Sequence, residues 1–380
     1  MGQPQPILPG VASGVSMKKK FYAVLAAFLG AVQATVASAS VFPLPVHGNI
    51  VGSLKAVTTN RDDTLLDIGR FYDVGYNQIT DANPGVNPWL PGLASKVVIP
   101  GEYILPPRPW KGIVVNIAAR RLYYFPPNQH VVFTYPVGVF LPGWKERLAT
   151  TRIIQKFRMP AWYVPKNIHA WFQKKFHMNI PWYWPPGPEN PMGELAMETG
   201  LPGIFIHGTY HPWGVGMRAS QGCFQMYPEN VAQLFPMVPV GTPVRIIDEP
   251  EMVGERDGQI YLQSYRLLHA YHKGGAGGLQ RAVVAIRGYM SGHHDRIRID
   301  WRRVRHVVSM HNTVALPIGV ESPRYAALVA ALPARPYAYA PYGASANGAA
   351  VPPPLKPAAS MAGGRERINV QVYFPDQKKP

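Results

Sequence analysis

Ile204-Phe205-Ile206-His207-Gly208-Thr209 and, one short loop later, Ser220-Gln221-Gly222-Cys223 decide how this chain is read. The first run is a β-branched and aromatic strand that delivers a histidine at its end. The second carries the single cysteine of all 380 residues. A lone thiol has no intramolecular disulfide partner, so it serves either packing or reactivity. Taken singly, a buried cysteine and a satisfied strand-end histidine are the ordinary explanations. Together, each beside a glycine, they make a nucleophile and its base: His207 accepts the thiol proton and the imidazolium steadies the thiolate. Gly208 lets backbone approach closely and orient the ring. Ser220 to Cys223 is a tight turn, and backbone N–H groups at Gly222 and Cys223 can face a developing oxyanion. The chemistry implied is acyl transfer through a thioester.

No metal is expected. His207 and His211 lack a third ligand, and the His269/His272 and His293-His294-Asp295 groups are similarly incomplete. No organic cofactor is called for either.

Working outward, Gly112 to Asn116, Arg121 to Phe125, Val131 to Gly138, Thr242 to Ile247 and Gln259 to Leu262 read as strands between proline and glycine turns. A helix is expected from Pro228 to Phe235, with proline at its first position. The fold class is therefore a mainly β catalytic domain, with a short helix after the nucleophile, over residues 110–250. Residues 156–196, rich in tryptophan, proline and lysine, read as a long loop acting as a lid. Its aromatics, Trp182 among them, either pack on the domain or stack on substrate.

A small α+β unit, ordered strand, helix, helix, strand, is expected over 49–106. Its first strand spans about Ile50–Val57, and Asp63 caps a helix burying Leu65, Ile68 and Phe71. Residues 251–332 form a basic extension in which 296–305 reads as a solvated strand face. Residues 333–380, dominated at first by alanine, proline and glycine, read as disordered. At the other end, Met17-Lys18-Lys19-Lys20, an apolar run and Ala37-Ser38-Ala39 make residues 1–39 a secretory signal peptide with Met17 as the true start. No second stretch approaches membrane-spanning length. Net charge is +17 overall and +14 after residues 1–39 are removed. Export turns that charge toward anionic envelope polymers, lipid head groups or carboxylate-bearing substrates rather than nucleic acid.

Two resemblances follow from these residues. Asp63-Thr64-Leu65, Ile68, Ala82-Asn83-Pro84-Gly85 and Val97-Val98-Ile99-Pro100 resemble a LysM domain, which implies glycan binding through Asp63, Thr64, Asn83 and Pro84. His207-Gly208-Thr209, Ser220-Gln221-Gly222-Cys223 and Val238 to Val244 resemble the YkuD-type L,D-transpeptidases, in the periplasmic ErfK/YbiS-like branch. Asn190-Pro191-Met192-Gly193 and Arg256 to Leu262 match that branch too. The resemblance implies an L,D-transpeptidase-like β-sandwich or barrel, with Cys223 as nucleophile, His207 as base and the Gly208 carbonyl completing a triad. Gln225, Thr209, Tyr210 and Trp182 are the candidate substrate contacts. The implied partners are peptidoglycan, both stem tetrapeptide and glycan strand, and an envelope lipoprotein as a further acceptor. The alternatives are an L,D-carboxypeptidase with water as acceptor and a catalytically silent peptidoglycan-binding protein. Two departures fall near the site. Gln225 stands where the family has arginine, and Glu146-Arg147-Leu148-Ala149-Thr150 replaces the family's Thr-Pro-x-Gly turn.

Overall fold

The computed structural model describes residues 40–142, 144, 147–267, 277–291 and 297–336. The expected signal peptide, Glu146, the two outlying histidine groups and the tail beyond residue 336 lie outside the described residues.

β1 (Ser40–Pro43), β2 (Ile50–Gly52) and β3 (Lys55–Thr58) precede α1 (Leu65–Phe71), α2 (Tyr76–Ala82), β4 (Lys96–Ile99) and β5 (Glu102–Ile104). The strand expected over 50–57 is two strands, because Gly52 turns the chain with φ +75°. β2 then pairs antiparallel with β5, and β3 with β4. Thr64, not Asp63, caps α1. Its hydroxyl accepts from the Asp67 amide, and the Asp67 carboxylate accepts from the Thr64 amide. Leu65 and Ile68 bury against Ile79, Val97 and Ile99, whereas Phe71, expected beside them, is 38% exposed.

The site-bearing region comprises β6 (Gly112–Asn116), β7 (Arg121–Phe125), β8 (Val131–Pro136), β9 (Val139–Phe140), β10 (Ala149–Arg158), β11 (Trp162–Tyr163), α3 (Lys166–Phe176), β12 (Tyr183–Trp184), β13 (Leu195–Thr199), β14 (Phe205–His207), β15 (Arg218–Ser220), β16 (Phe224–Gln225), α4 (Pro228–Met237) and β17 (Pro243–Ile247). One nine-stranded sheet runs in the order β1-β8-β7-β6-β17-β10-β13-β14-β16. β10 joins its halves. Residues 149–152 pair with β17 and the later ones with β13, across an irregularity between Ile153 and Gln155. A bulge adds twist, and the sheet curls about one apolar core. Ile113, Val115 and Tyr124 enter it from one half, Met197, Ile206 and Phe224 from the other. Val231, Leu234 and Phe235 of α4 fill it, each such burial contributing about 1.5–3 kcal/mol.

Residues 156–196 are not the long loop expected. They carry α3 and the two-stranded β11–β12 ribbon, in which Trp162 faces Trp184. Asn190 ties its base: the side-chain amide donates to the carbonyls of Pro160, Trp184 and Pro185, and its oxygen accepts from the Met192 amide.

β18 (Glu251–Arg256), β19 (Gln259–Ser264), α5 (Gly278–Met290), α6 (Trp301–Met310), β20 (Leu316–Pro317), α7 (Tyr325–Ala331) and β21 (Ala334–Pro336) follow. β18, β19 and β20 form a sheet whose Ile260 and Leu262 pack on Ile286, Val304 and Val307. Within the basic run expected as a strand face over 296–305, residues 301–305 are helical, because Asp300 accepts from the Arg302 and Arg303 amides and starts α6; Arg296 lies outside the described residues. The segment expected to be disordered from 333 begins with β21, parallel to β3. The described residues lie in one compact unit, not in separable beads.

Candidate active site

β14 and β16 are parallel neighbours, with Ile206 opposite Phe224 and His207 opposite Gln225. Ile206 and Phe224 enter the core. Strand alternation therefore turns Phe205, His207 and Gln225 to the other face. Cys223 immediately precedes β16; alternation one residue back from Phe224 turns it toward the face of His207, and the Phe205 backbone amide reaches its thiol. The turn before Cys223 is built locally. Gly222 has φ +138°, a conformation side-chain-bearing residues rarely adopt. Ser220 Oγ donates to the Cys223 carbonyl (2.6 Å) and accepts from the Gly222 amide (3.3 Å).

His207 is 3% exposed. Its Nδ1 lies 2.5 Å from the Gly208 carbonyl oxygen. A carbonyl only accepts, so Nδ1 carries the proton and Nε2 keeps its lone pair. Burial pushes the imidazole down to about 4, against the opposing pull of the Gly208 and Met192 carbonyls. Burial pushes the Cys223 thiol up to about 11, with the Phe205 backbone amide acting the other way. The thiol also lies 3.5 Å from the Gly203 carbonyl. At neutral pH the resting pair is a thiol and a neutral imidazole, not the ion pair pictured from the sequence.

That burial has a consequence for stability. A histidine with a depressed folded-state value stabilises the fold fully above its unfolded value of 6.5, and the contribution is lost as pH falls toward about 4. Wild type is expected to lose about 3 kcal/mol from this group over that interval. His207→Gln is expected to flatten this part of the pH dependence. Urea unfolding of both proteins between pH 7 and pH 4 measures it, and parallel curves would refute it.

The other candidates divide. Gly208 packs against α4, where an added Cβ would stand 2.9 Å from Val231 Cγ1. Thr209 is buried, and its hydroxyl accepts from the His211 amide, which shapes the turn. Tyr210 donates to Glu194 at 3.4 Å. Gln225 sits beside His207 in a slot left by two glycines, its Oε1 3.3 Å from where a Cβ on Gly138 would be and 3.4 Å for Gly214. Trp182 belongs to the α3 insertion and is 55% exposed, stacked on His169 with ring centroids 3.8 Å apart. In the small unit three of the four implied glycan residues have internal tasks, and the fourth, Pro84, is exposed. Asp63 accepts from the Asn60 amide, and Thr64 caps α1. Asn83 donates to the Ile79 and Val98 carbonyls and accepts from the Val98 amide. The sequence reading missed the Met192 and Gly203 carbonyls and the Phe205 amide. These are backbone groups, which no residue type announces. Among the described residues no three His, Cys, Asp or Glu side chains gather as a metal site would require.

Comparison with known proteins gives three further findings. A model of the YkuD family, the L,D-transpeptidase catalytic domain, matches residues 111–246. Probable L,D-transpeptidase ErfK/SrfK of Escherichia coli (strain K12) is 37% identical over 232 residues, covering 60% of this chain and 74% of that protein. Probable L,D-transpeptidases YcfS and YbiS of the same organism are 32% and 36% identical. Those alignments cover 75% and 62% of this chain, and 89% and 78% of the relatives.

Proposed function

The chain belongs to the L,D-transpeptidase family, and from that premise we propose how its site divides the work. The protein is a cysteine acyltransferase of peptidoglycan stem peptides. Cys223 Sγ attacks the carbonyl carbon between an L-centre and D-alanine while His207 Nε2 takes the thiol proton. The ring passes that proton to the departing amino group, the C–N bond breaks, and a thioester remains. The side-chain amine of a diamino acid, or a protein lysine, then attacks the thioester. Its proton returns through His207 to sulfur. The oxyanion is received by the Cys223 amide, since the Gly222 amide is held by Ser220. A neutral resting imidazole suits this order, because a protonated ring accepts nothing.

The observation that carries this reading is the buried His207 at the end of β14, its Nδ1 held by the Gly208 carbonyl, beside the parallel strand that Cys223 immediately precedes. Intact mass after mixing full-length protein with a stem tetrapeptide tests it. An acyl adduct on Cys223 with release of D-alanine is expected, followed by cross-linked product when an amine is added. Release to water alone would make it a carboxypeptidase. No adduct would leave a binding protein.

Residues 49–106 are proposed as a LysM-like glycan module on the strength of their two helices between antiparallel strands. With Asp63, Thr64 and Asn83 engaged internally, its contacts fall to the exposed loop carrying Leu90 and Leu93. Residues 110–250 are proposed as the catalytic domain and 251–332 as its basic extension. Export through residues 1–39 to the periplasm fits the substrate. Among the described residues no helix is long and apolar enough to cross a membrane.

Gln225→Arg is expected to lower the rate of acyl-enzyme formation severalfold and to cost about 1–3 kcal/mol, since a guanidinium overfills the slot beside Gly138 and Gly214. Acylation kinetics and urea unfolding of that variant check it. A gain in both would mark Gln225 as a degenerate replacement.

A further inference from the structure

We propose that Glu198 is the residue that receives the acceptor amine, selecting a cationic primary amine over water. This rests on the transpeptidase reading above.

The argument begins with the faces of the sheet. Met197, Ile206 and Phe224 enter the core from β13, β14 and β16. Glu198 and Phe205 alternate with them and so stand on the face that carries His207 and Cys223. Glu198 pairs with Phe205 across β13 and β14, and from the opposite side the Phe205 amide reaches the Cys223 thiol. One carboxylate and the nucleophile therefore share a level on one face, two strand spacings or about 10 Å apart at their α-carbons. Phe205 lies between them, its ring leaning on Phe157 at 6.3 Å.

The state of that carboxylate is the second observation. Glu198 is half-buried, yet it has no hydrogen bond and no ion pair among the described residues. Other sheltered carboxylates in this protein are engaged: Glu102 by Arg256, Glu229 by Arg70 and Glu251 by Arg281. The chain also carries no acidic residue from 147 to 188, the stretch that forms β10 and the α3 insertion. A half-buried carboxylate on that face that makes no ion pair is matched by a ligand cation. The acceptor of this reaction is one. A primary amine arrives as an ammonium, loses one proton to solvent, and attacks the thioester. The N–C bond forms as the C–S bond breaks, and the second proton passes through His207 to sulfur. Water gains nothing from a carboxylate at that position, so Glu198 favours transfer over hydrolysis.

The experiment uses full-length protein, a stem tetrapeptide donor, and two nucleophiles at pH 7. One is a lysine-containing peptide, and the other is hydroxylamine, which is uncharged there. Acyl-enzyme formation is followed by intact mass as the internal reference, and transfer and hydrolysis products are quantified. Glu198→Gln is expected to lower the ratio of lysine-peptide transfer to hydrolysis about tenfold, through KM for the peptide. Transfer to hydroxylamine should keep its ratio, and Glu198→Asp should recover part of the loss. An unchanged ratio overturns the proposal. So does an equal fall for hydroxylamine, or a fall in acyl-enzyme formation itself, which would place the charge against the donor. If wild-type protein forms no acyl-enzyme, the transpeptidase reading fails first and takes this one with it.

Discussion

Cys223→Ala is expected to lower D-alanine release and cross-linking by more than about 10⁴-fold, with the fold intact. The neighbouring Ser220 hydroxyl is engaged with the Cys223 carbonyl and the Gly222 amide, and the cysteine is the only one in the chain. The reaction written above requires a covalent bond to that sulfur, so the loss falls on kcat rather than KM. The structural cost is small, because the half-buried thiol makes a long contact with the Gly203 carbonyl and a weak sulfur hydrogen bond with the Phe205 amide. Stability is expected to change by less than about 1 kcal/mol. His207→Gln is expected to lose activity to a similar degree, since nucleophile and base act as a unit. Combining both changes then adds little. Release of D-alanine from a tetrapeptide, with urea unfolding of each variant, separates the chemical loss from a folding defect. Substantial turnover by Cys223→Ala would remove the thioester from the mechanism.

The parts of this site that were legible in the sequence are those that depend on residue type. A strand ending in histidine, a glycine that only a positive φ explains, and a proline opening α4 each state their conformation locally. His207, Gly222 and Pro228 are examples. What escaped depends on partners far along the chain. The run 296–305 alternates like a strand until Asp300 caps the Arg302 and Arg303 amides, and the cap outweighs the alternation. Asn83 looks like a ligand contact until Val98, fifteen residues away, takes up both ends of its amide. The thiol and imidazole read from residue types as a couple in which the proton passes to His207. Burial, which decides the opposite, is a property of the assembled sheet. Glu198 went unnoticed for the same reason. Only strand register places it opposite Phe205, whose amide reaches the Cys223 thiol.

Arg121→Met is expected to destabilise the protein by about 3–5 kcal/mol, more than any single change near the nucleophile. Arg121 is fully buried at the start of β7, and its guanidinium stacks 3.9 Å from the centre of the Tyr103 ring. It donates to Thr134 Oγ1 at 3.0 Å and to the Tyr103 hydroxyl at 2.8 Å. It also donates to the Asp73 carbonyl and, at 3.4 Å, to Gln78 Oε1. Thr134 belongs to the large sheet, whereas Asp73, Gln78 and Tyr103 belong to the small unit. One planar group thus spans both. Methionine fills most of the volume but removes the guanidinium donor from the Asp73 carbonyl and from the Tyr103 hydroxyl, the costly side of a hydrogen bond. Lysine keeps the charge but not the fork, so Arg121→Lys is expected to recover less than half of the loss. Urea unfolding followed by tryptophan fluorescence measures both variants, and a loss under about 1 kcal/mol for methionine would deny the guanidinium this role. Arg70 makes the second tie, holding Glu229 at the start of α4 through paired 2.8 Å contacts. Since α4 follows β16 directly, the small unit is anchored to the segment that presents Cys223. If that unit binds glycan as proposed above, the strand would be held at a fixed offset from the nucleophile, which a flexible tether would not provide.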